Sequence, residues 1–371
     1  MKSLKIVHSA DLHLDSAFEA LPGGKAALRR GEQRQLLAAL AELARREEAD
    51  LVLLAGDLLD SEDSYQETGR ELYRSLSQIP APVFISPGNH DYYSPRSPYA
   101  RTKLPDNVHV FTSDKIEMVE LPELSARVYG AAFLDKRSGP LLRGFSAEKQ
   151  DGVWNILCLH GEPDSADPQY GPISRQDLEE SGMDYAALGH IHKASGLLKA
   201  GNTWYSWPGC PEGRGFDELG EKTVNLVTLS QEGCSLSTPV ISSRRYQVLK
   251  VDISGSDPLL AIHSALPAET VSDIYRIVLT GETEDSPDLG RLQRELQSLF
   301  FELQLRDNTH IRRDLWERAG EDSLRGLFLG GLYRRYEAAK SDSERELIEQ
   351  AARWGLAALD GGEEVAQHED R

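Results

Sequence analysis

Leu51-Val52-Leu53-Leu54-Ala55-Gly56-Asp57 reads as a short apolar strand cut off by glycine and followed at once by a carboxylate. An unbroken apolar run of this length marks a strand buried on both faces, and the Gly releases the chain into a turn. Working outward, the same construction recurs. Leu4–Val7 precedes Asp11-Leu12-His13, Val83–Ile85 precedes Gly88-Asn89-His90-Asp91, Trp154–Leu159 precedes His160-Gly161, and Tyr185–Leu188 precedes Gly189-His190-Ile191-His192. Helical stretches separate several runs. In Gln33–Glu47 the residues Leu36, Leu37, Leu40, Leu43 and Ala44 share one face. Alternation of this kind predicts an α/β fold with layered sheets and helices.

Seven side chains with metal-ligand chemistry therefore stand at strand ends: Asp11, His13, Asp57, Asn89, His160, His190 and His192. Asp, Asn and imidazole together suit two divalent cations held about 3.5–4 Å apart by a bridging carboxylate. Asp57 is the candidate bridge. Asp11, His13 and His192 complete one cation's protein ligands, and Asn89, His160 and His190 the other's. Such a pair lowers the pKa of a shared water and polarises a phosphate oxygen, so the expected reaction is phosphodiester hydrolysis. His90, beside a ligand but not needed as one, is the candidate catalytic residue, giving a proton to the leaving alkoxide. Asp91 is placed either to orient the His90 ring or to cap its loop. The stretch Trp204–Glu218, rich in Gly, Pro and aromatics, reads as a loop: either the rim of the site, with Arg214 placed to reach a phosphate, or a structural turn before the Thr223–Leu229 strand. Tyr92, Tyr93, Arg96, Tyr99, Arg101 and Lys103 interleave rings and cations as a stacking, phosphate-binding loop does.

Composition sets limits. The 371 residues carry 41 Lys and Arg against 60 Asp and Glu, a net charge of −19, which argues against nucleic-acid binding by overall attraction but not against local binding. Three cysteines, none in Cys-x-x-Cys spacing, make neither a disulfide framework nor a thiolate cage. Cys158 reads as a buried small hydrophobe. The chain offers no membrane span and no secretory signal at its N-terminus, so the expected compartment is the cytoplasm. The doublets Arg29-Arg30, Arg312-Arg313 and Arg334-Arg335 read as solvated faces. Near residue 243 the character changes. Tyr246–Ile253, Pro258–Ala265 and Ile274–Gly281 spell a small β-α-β domain over 244–285. From 286 to 371 a helical extension follows, with Leu289, Leu292, Leu296, Leu299 and Leu303 at 3,4 spacing, then helices over Leu324–Ala339 and Ser343–Leu359, and a disordered acidic end.

Together, in this order, the five motifs resemble those of the calcineurin-like metallophosphoesterases. Ile6–Leu14 and Ala55–Asp60 are similar to the SbcD-type DNA repair exonucleases, and Pro208–Glu218 resembles the YhaO-like branch of that group. The resemblance implies a β-sandwich flanked by helices (αββα) over 1–243, with manganese as the metal. It implies that the small domain is a capping domain orienting DNA. It also implies a homodimer and a partner of the SbcC-like coiled-coil ATPase kind. The expected function is a DNA repair exonuclease. The alternatives are a small-molecule or cyclic-nucleotide phosphodiesterase, and a DNA-end binding scaffold with little activity of its own.

Overall fold

The computed structural model describes residues 2–61, 66–164, 168–283, 285–311 and 316–359. Arg312-Arg313 and the acidic end beyond 359 lie outside the described residues. Two six-stranded mixed sheets form the larger part. In the first the strand order is Gly233–Ser237, Asn225–Ser230, Leu4–Ser9, Leu51–Leu54, Val83–Ile85, Val108–Val110. The second runs Glu117–Leu121, Ala126–Gly130, Trp154–His160, Tyr185–Gly189, Thr203–Ser206, Leu198–Ala200. Central strands are parallel in both sheets, and antiparallel strands sit toward the edges.

Period-two alternation explains the layering. Leu51 and Leu53 point into a core shared with Val128, Ile156, Cys158 and Ala187 of the other sheet. Val52 and Leu54 point the other way, onto Leu37, Leu40, Ala41, Leu43 and Ala44 of the Gly23–Arg46 helix. Leu157, Leu159, Ala186 and Leu188 face a third cluster with Leu178 of the Arg175–Glu180 helix. Both faces of each central strand are covered, so the strands are mostly apolar, with His8 and Asn155 among the buried exceptions. This is the helix-flanked sandwich expected from the motifs. Cys158 is fully buried within it.

Three sequence expectations need correction. Thr203–Ser206 is a strand parallel to Tyr185–Gly189, so the loop begins only at Trp207. Its Trp and Tyr favour a pleated surface, a signal that the Gly and Pro following them masked. The leucine stripe is not one helix: Leu289–Leu296 is helical, Gln297–Leu299 forms a single 3₁₀ turn, and Leu303 lies in a strand, Glu302–Asp307. That strand joins Tyr246–Asp252 and Ile274–Thr280 in a three-stranded sheet. The spacing is helical and holds to Leu296, but pairing of Glu302–Asp307 in the sheet overrides it beyond the 3₁₀ turn.

Arg29 is the third. Far from being solvated, it is completely buried and ion-paired to Glu212, itself completely buried, with Glu32 at 2.6 Å. The Ser243 amide donates to the same Glu212 carboxylate at 2.8 Å. Removing one partner of a buried pair strands the other's charge. Glu212→Ala should therefore cost about 3–5 kcal/mol in chemical denaturation, while replacing Arg29 and Glu212 together by leucine should recover most of it. A loss below about 1 kcal/mol in the single variant would show that Glu32 alone satisfies Arg29.

By contact density the chain divides into two compact units. One comprises Met1–Val248, Glu269–Arg276 and Gln297–Leu303, and the other the remaining segments. In the second unit, Asp257 caps the Pro258–Ala265 helix by accepting from the Leu260 amide, and Ser323 caps Leu324–Ala338 through the Gly326 amide. Leu324–Ala338 packs against Asp342–Leu359. Among the described residues no helix is long and apolar enough to cross a membrane.

Candidate metal centre

Every motif residue sits at or just beyond the carboxyl end of a parallel strand, the edge where open α/β sheets bind ligands. His160 is the last residue of its strand, and His190 follows directly on Tyr185–Gly189. The turns that deliver the side chains are tight. Asp11 (φ 54°), His13 (φ 43°), Asp57 (φ 51°) and His190 (φ 98°) all occupy left-handed backbone. Such a conformation costs on the order of 1–3 kcal/mol per residue and persists only where neighbours over-determine it. Here they do. The Asp11 and His13 amides donate to the carbonyls of Gly56 (3.0 Å) and Asp57 (2.9 Å). Asp91 accepts from the amides of Gly88 (2.8 Å), Asp57 (3.2 Å) and Leu58 (2.7 Å), and from the Tyr99 hydroxyl at 2.5 Å. Gly88 admits no side chain, because a Cβ would run into the Asp57 carboxylate and the His160 ring.

The structure brings all seven predicted ligands together. Ligand atoms of Asp11, His13 and His192 lie within 4.8 Å of one another, as do those of Asp57, His160 and His190, and those of His13, Asp57 and His90. Asn89 Oδ1 lies 3.0 Å from His160 Nε2 and 3.1 Å from His190 Nδ1. Asp57 Oδ2 stands 3.7 Å from His13 Nε2 and 3.5 Å from His160 Nε2, between the groups.

The donor set fits cations. His160 Nδ1 donates to the Ala55 carbonyl at 2.8 Å, so its Nε2 presents a lone pair to the Asn89 oxygen. His13 Nδ1 faces Asp60 (3.1 Å) and His192 Nδ1 faces Glu218 (2.8 Å), while their Nε2 atoms meet at 3.2 Å. With both outer nitrogens donating to carboxylates, two lone pairs confront each other, an arrangement a shared cation would relieve. Burial holds His13 to about 4 and His190 to about 3, so both rings are neutral and ligand-competent at pH 7. Burial, and then the Asp57 charge, push the Asp11 carboxyl well above the usual carboxylate range. Burial acts on Asp57 in the same direction, but His160, His13 and His90 outweigh it and hold Asp57 low.

His90 differs from the ligands. Its side chain is 43% exposed against 1% for His13, and its Nδ1 donates to the Asp60 carbonyl at 3.0 Å. Asp91 does not orient it. Asp91 is wholly buried and caps the loop instead, its carboxylate occupied by the Gly88, Asp57 and Leu58 amides and the Tyr99 hydroxyl. His8 is also buried, bonded to the Tyr185 hydroxyl (2.8 Å) and the Leu188 carbonyl (3.2 Å), and props the strand before His190. Of the Tyr/Arg loop, Tyr99 is committed to Asp91 and Tyr93 packs on the core, leaving Tyr92 toward the site and Arg96, Arg101 and Lys103 exposed. Beside His90 lies a cavity of about 330 Å³ whose lining includes Asp60, Asn89, Tyr92, Lys136 and Tyr170. Tyr170 lies along the His190 ring, with centroids 5.2 Å apart and planes at 32°. Lys136 and Tyr170 escaped sequence reading because neither belongs to a motif. Glu218 was visible only as a charge within the Gly/Pro loop.

A helix-flanked pair of mixed sheets with Asp, Asn and His gathered at the ends of the parallel strands defines a metallophosphoesterase. Residues 4–194 match the calcineurin-like phosphoesterase family, and the chain belongs to it. It is 26% identical to the protein named uncharacterized metallophosphoesterase YhaO of Bacillus subtilis, over 95% of this chain and 97% of that one. It is also 26% identical to the DNA double-strand break repair protein Mre11 of Aeropyrum pernix, over 67% of this chain and 64% of that one. Against the SbcD subunit of the SbcCD nuclease of Staphylococcus epidermidis the identity is 25%, over 51% of this chain and 57% of that one. Among solved structures, a dimetal phosphatase from Danio rerio aligns with 63% of this chain and 95% of its own, at 12% identity and a TM-score of 0.41.

Proposed function

We propose that this metallophosphoesterase is a two-cation phosphodiesterase acting on DNA, a repair exonuclease. In this reading Asp57 is shared, Asp11, His13 and His192 hold one cation, and Asn89, His160 and His190 hold the other. The observation that carries it is the Asp57 Oδ2 atom, within 3.7 Å of a histidine nitrogen from each set. Imidazole, carboxylate and a single amide oxygen suit Mn²⁺, Fe²⁺ and Zn²⁺ alike, and it is the motif resemblance that favours manganese. Two such cations would supply positive charge to a phosphoryl oxygen and bring the pKa of water toward neutrality.

The remaining work belongs to side chains. His90 is held by the Asp60 carbonyl through its Nδ1–H, so as general acid it acts as the imidazolium, giving the Nε2 proton to the leaving oxygen and keeping the Nδ1 proton. Tyr92, Tyr170 and Lys136 beside it offer ring faces and a cation to the nucleotide next to the scissile bond. Relatives named as a DNA repair protein and a nuclease component support DNA as substrate. The small three-stranded sheet is the proposed DNA-orienting cap. Leu324, Leu327, Leu347 and Trp354, exposed on the last two helices, suit contact with an SbcC-like ATPase or a second copy. Three free thiols fit a cytoplasmic setting.

The net charge of −19 favours one rival, a small phosphodiester substrate. Purified protein with Mn²⁺ should be offered duplex DNA with free ends, single-stranded DNA and a bis-aryl phosphodiester, with and without an SbcC-like ATPase. Release of nucleotides from DNA is expected. Cleavage of the aryl ester alone in both conditions would sink the DNA reading.

A further inference from the structure

The two proposed cation sets are not backed alike. In one, each histidine turns its outer nitrogen to a carboxylate: His13 Nδ1 to Asp60 Oδ1 at 3.1 Å, His192 Nδ1 to Glu218 Oε1 at 2.8 Å. A carboxylate only accepts, so each Nδ1 carries a proton and each Nε2 keeps its lone pair for the centre. A single guanidinium ties the two carboxylates together. Arg214 Nη2 donates to Glu218 Oε1 at 2.8 Å, the Arg214 amide donates to Oε2 at 2.8 Å, and Nη1 reaches Asp60 Oδ1 at 3.5 Å. Arg214 Nη2 also lies 3.0 Å from His192 Nδ1, because both donors converge on the same Glu218 oxygen. In the other set His160 leans on a backbone carbonyl, and His190 turns Nδ1 inward. Among the described residues no carboxylate bonds the outer nitrogen of either ring.

We infer that Asp60, Arg214 and Glu218 are positioning residues for one cation only, the one held by Asp11, His13 and His192, and that Arg214 acts through the two carboxylates and not on a phosphate. Carboxylates behind histidine ligands fix the tautomer and ring orientation and raise ligand basicity. A cation bridging two such carboxylates locks both rings at once. This replaces the sequence expectation for Arg214, whose guanidinium already has partners on two sides. The inference rests on the proposed division of the ligands.

Mn²⁺ titration without substrate tests it, by calorimetry on wild type, Arg214→Met, Glu218→Ala and Glu218→Gln, with circular dichroism to check folding. Arg214→Met and Glu218→Ala should weaken one of two Mn²⁺ sites by about 10–100-fold and leave the other within about twofold. Glu218→Gln, whose amide oxygen still accepts from His192 Nδ1, should recover part of the loss and keeps the test open if a larger change fails to fold. Unchanged affinities in Arg214→Met, with a raised KM for DNA, would overturn the inference and return Arg214 to the phosphate. Equal weakening of both sites would overturn its selectivity for one cation. Wild-type protein binding fewer than two Mn²⁺ would instead overturn the proposed function.

Discussion

Replacing His90 by alanine should leave two cations bound and remove most turnover on DNA, by about 10²–10⁴-fold, the usual contribution of a positioned general acid. Three observations set the expectation. The ring is 43% exposed where a substrate arrives, while His13 and His160 are buried. Its Nδ1 is committed to the Asp60 carbonyl, so Nε2 is the nitrogen that exchanges protons. Its backbone amide donates to Asp57 Oδ1 at 2.9 Å, a contact that survives truncation of the side chain. The loss should shrink on a bis-aryl ester, whose phenolate leaves without a proton. Mn²⁺ stoichiometry alongside kcat on both substrates makes the check. Because His90 also lies near His13 and Asp57, loss of a cation from the variant would make it a ligand and remove its role as acid.

Asp57→Ala should be more damaging still. Its Oδ2 faces a histidine of each set, and its Oδ1 holds the His90 amide. Without it neither set retains a shared anion, so bound Mn²⁺ should fall from two toward none. The rate should drop by about 10³-fold or more, as expected when several kcal/mol of charge stabilisation is lost. Thermal stability is a second readout. Wild type should gain about 2.7 kcal/mol for each site filled at a hundredfold excess over Kd, and the variant little. An Asp57→Ala protein that keeps its second cation would sink the bridging assignment.

Much of this was legible in the sequence, for a physical reason. A strand buried on both faces shows as an unbroken apolar run, and the glycine that ends it marks where the following polar side chain is aimed. Leu51–Asp57 displays both. What lay hidden depends on pairings across long separations. Nothing local to Glu218 says that it backs His192, or that Asp60 backs His13 across 47 positions. Adjacency left Asp91 between two roles, and only its bonds to the Gly88 and Leu58 amides decide for the loop cap. Composition misled for Arg29, whose burial needs a Glu 183 residues away. The leucine stripe failed because sheet pairing of Glu302–Asp307, set by strands far back in the chain, overrides the local helical spacing.

The central claim is that one carboxylate joins two cations at this strand edge. Crystals soaked in Mn²⁺ and measured at the manganese absorption edge test it most directly. The account predicts two anomalous peaks about 3.5–4 Å apart, with Asp57 bonded to both, His13 and His192 on one and His160 and His190 on the other. A single peak, or two that do not share Asp57, would contradict it.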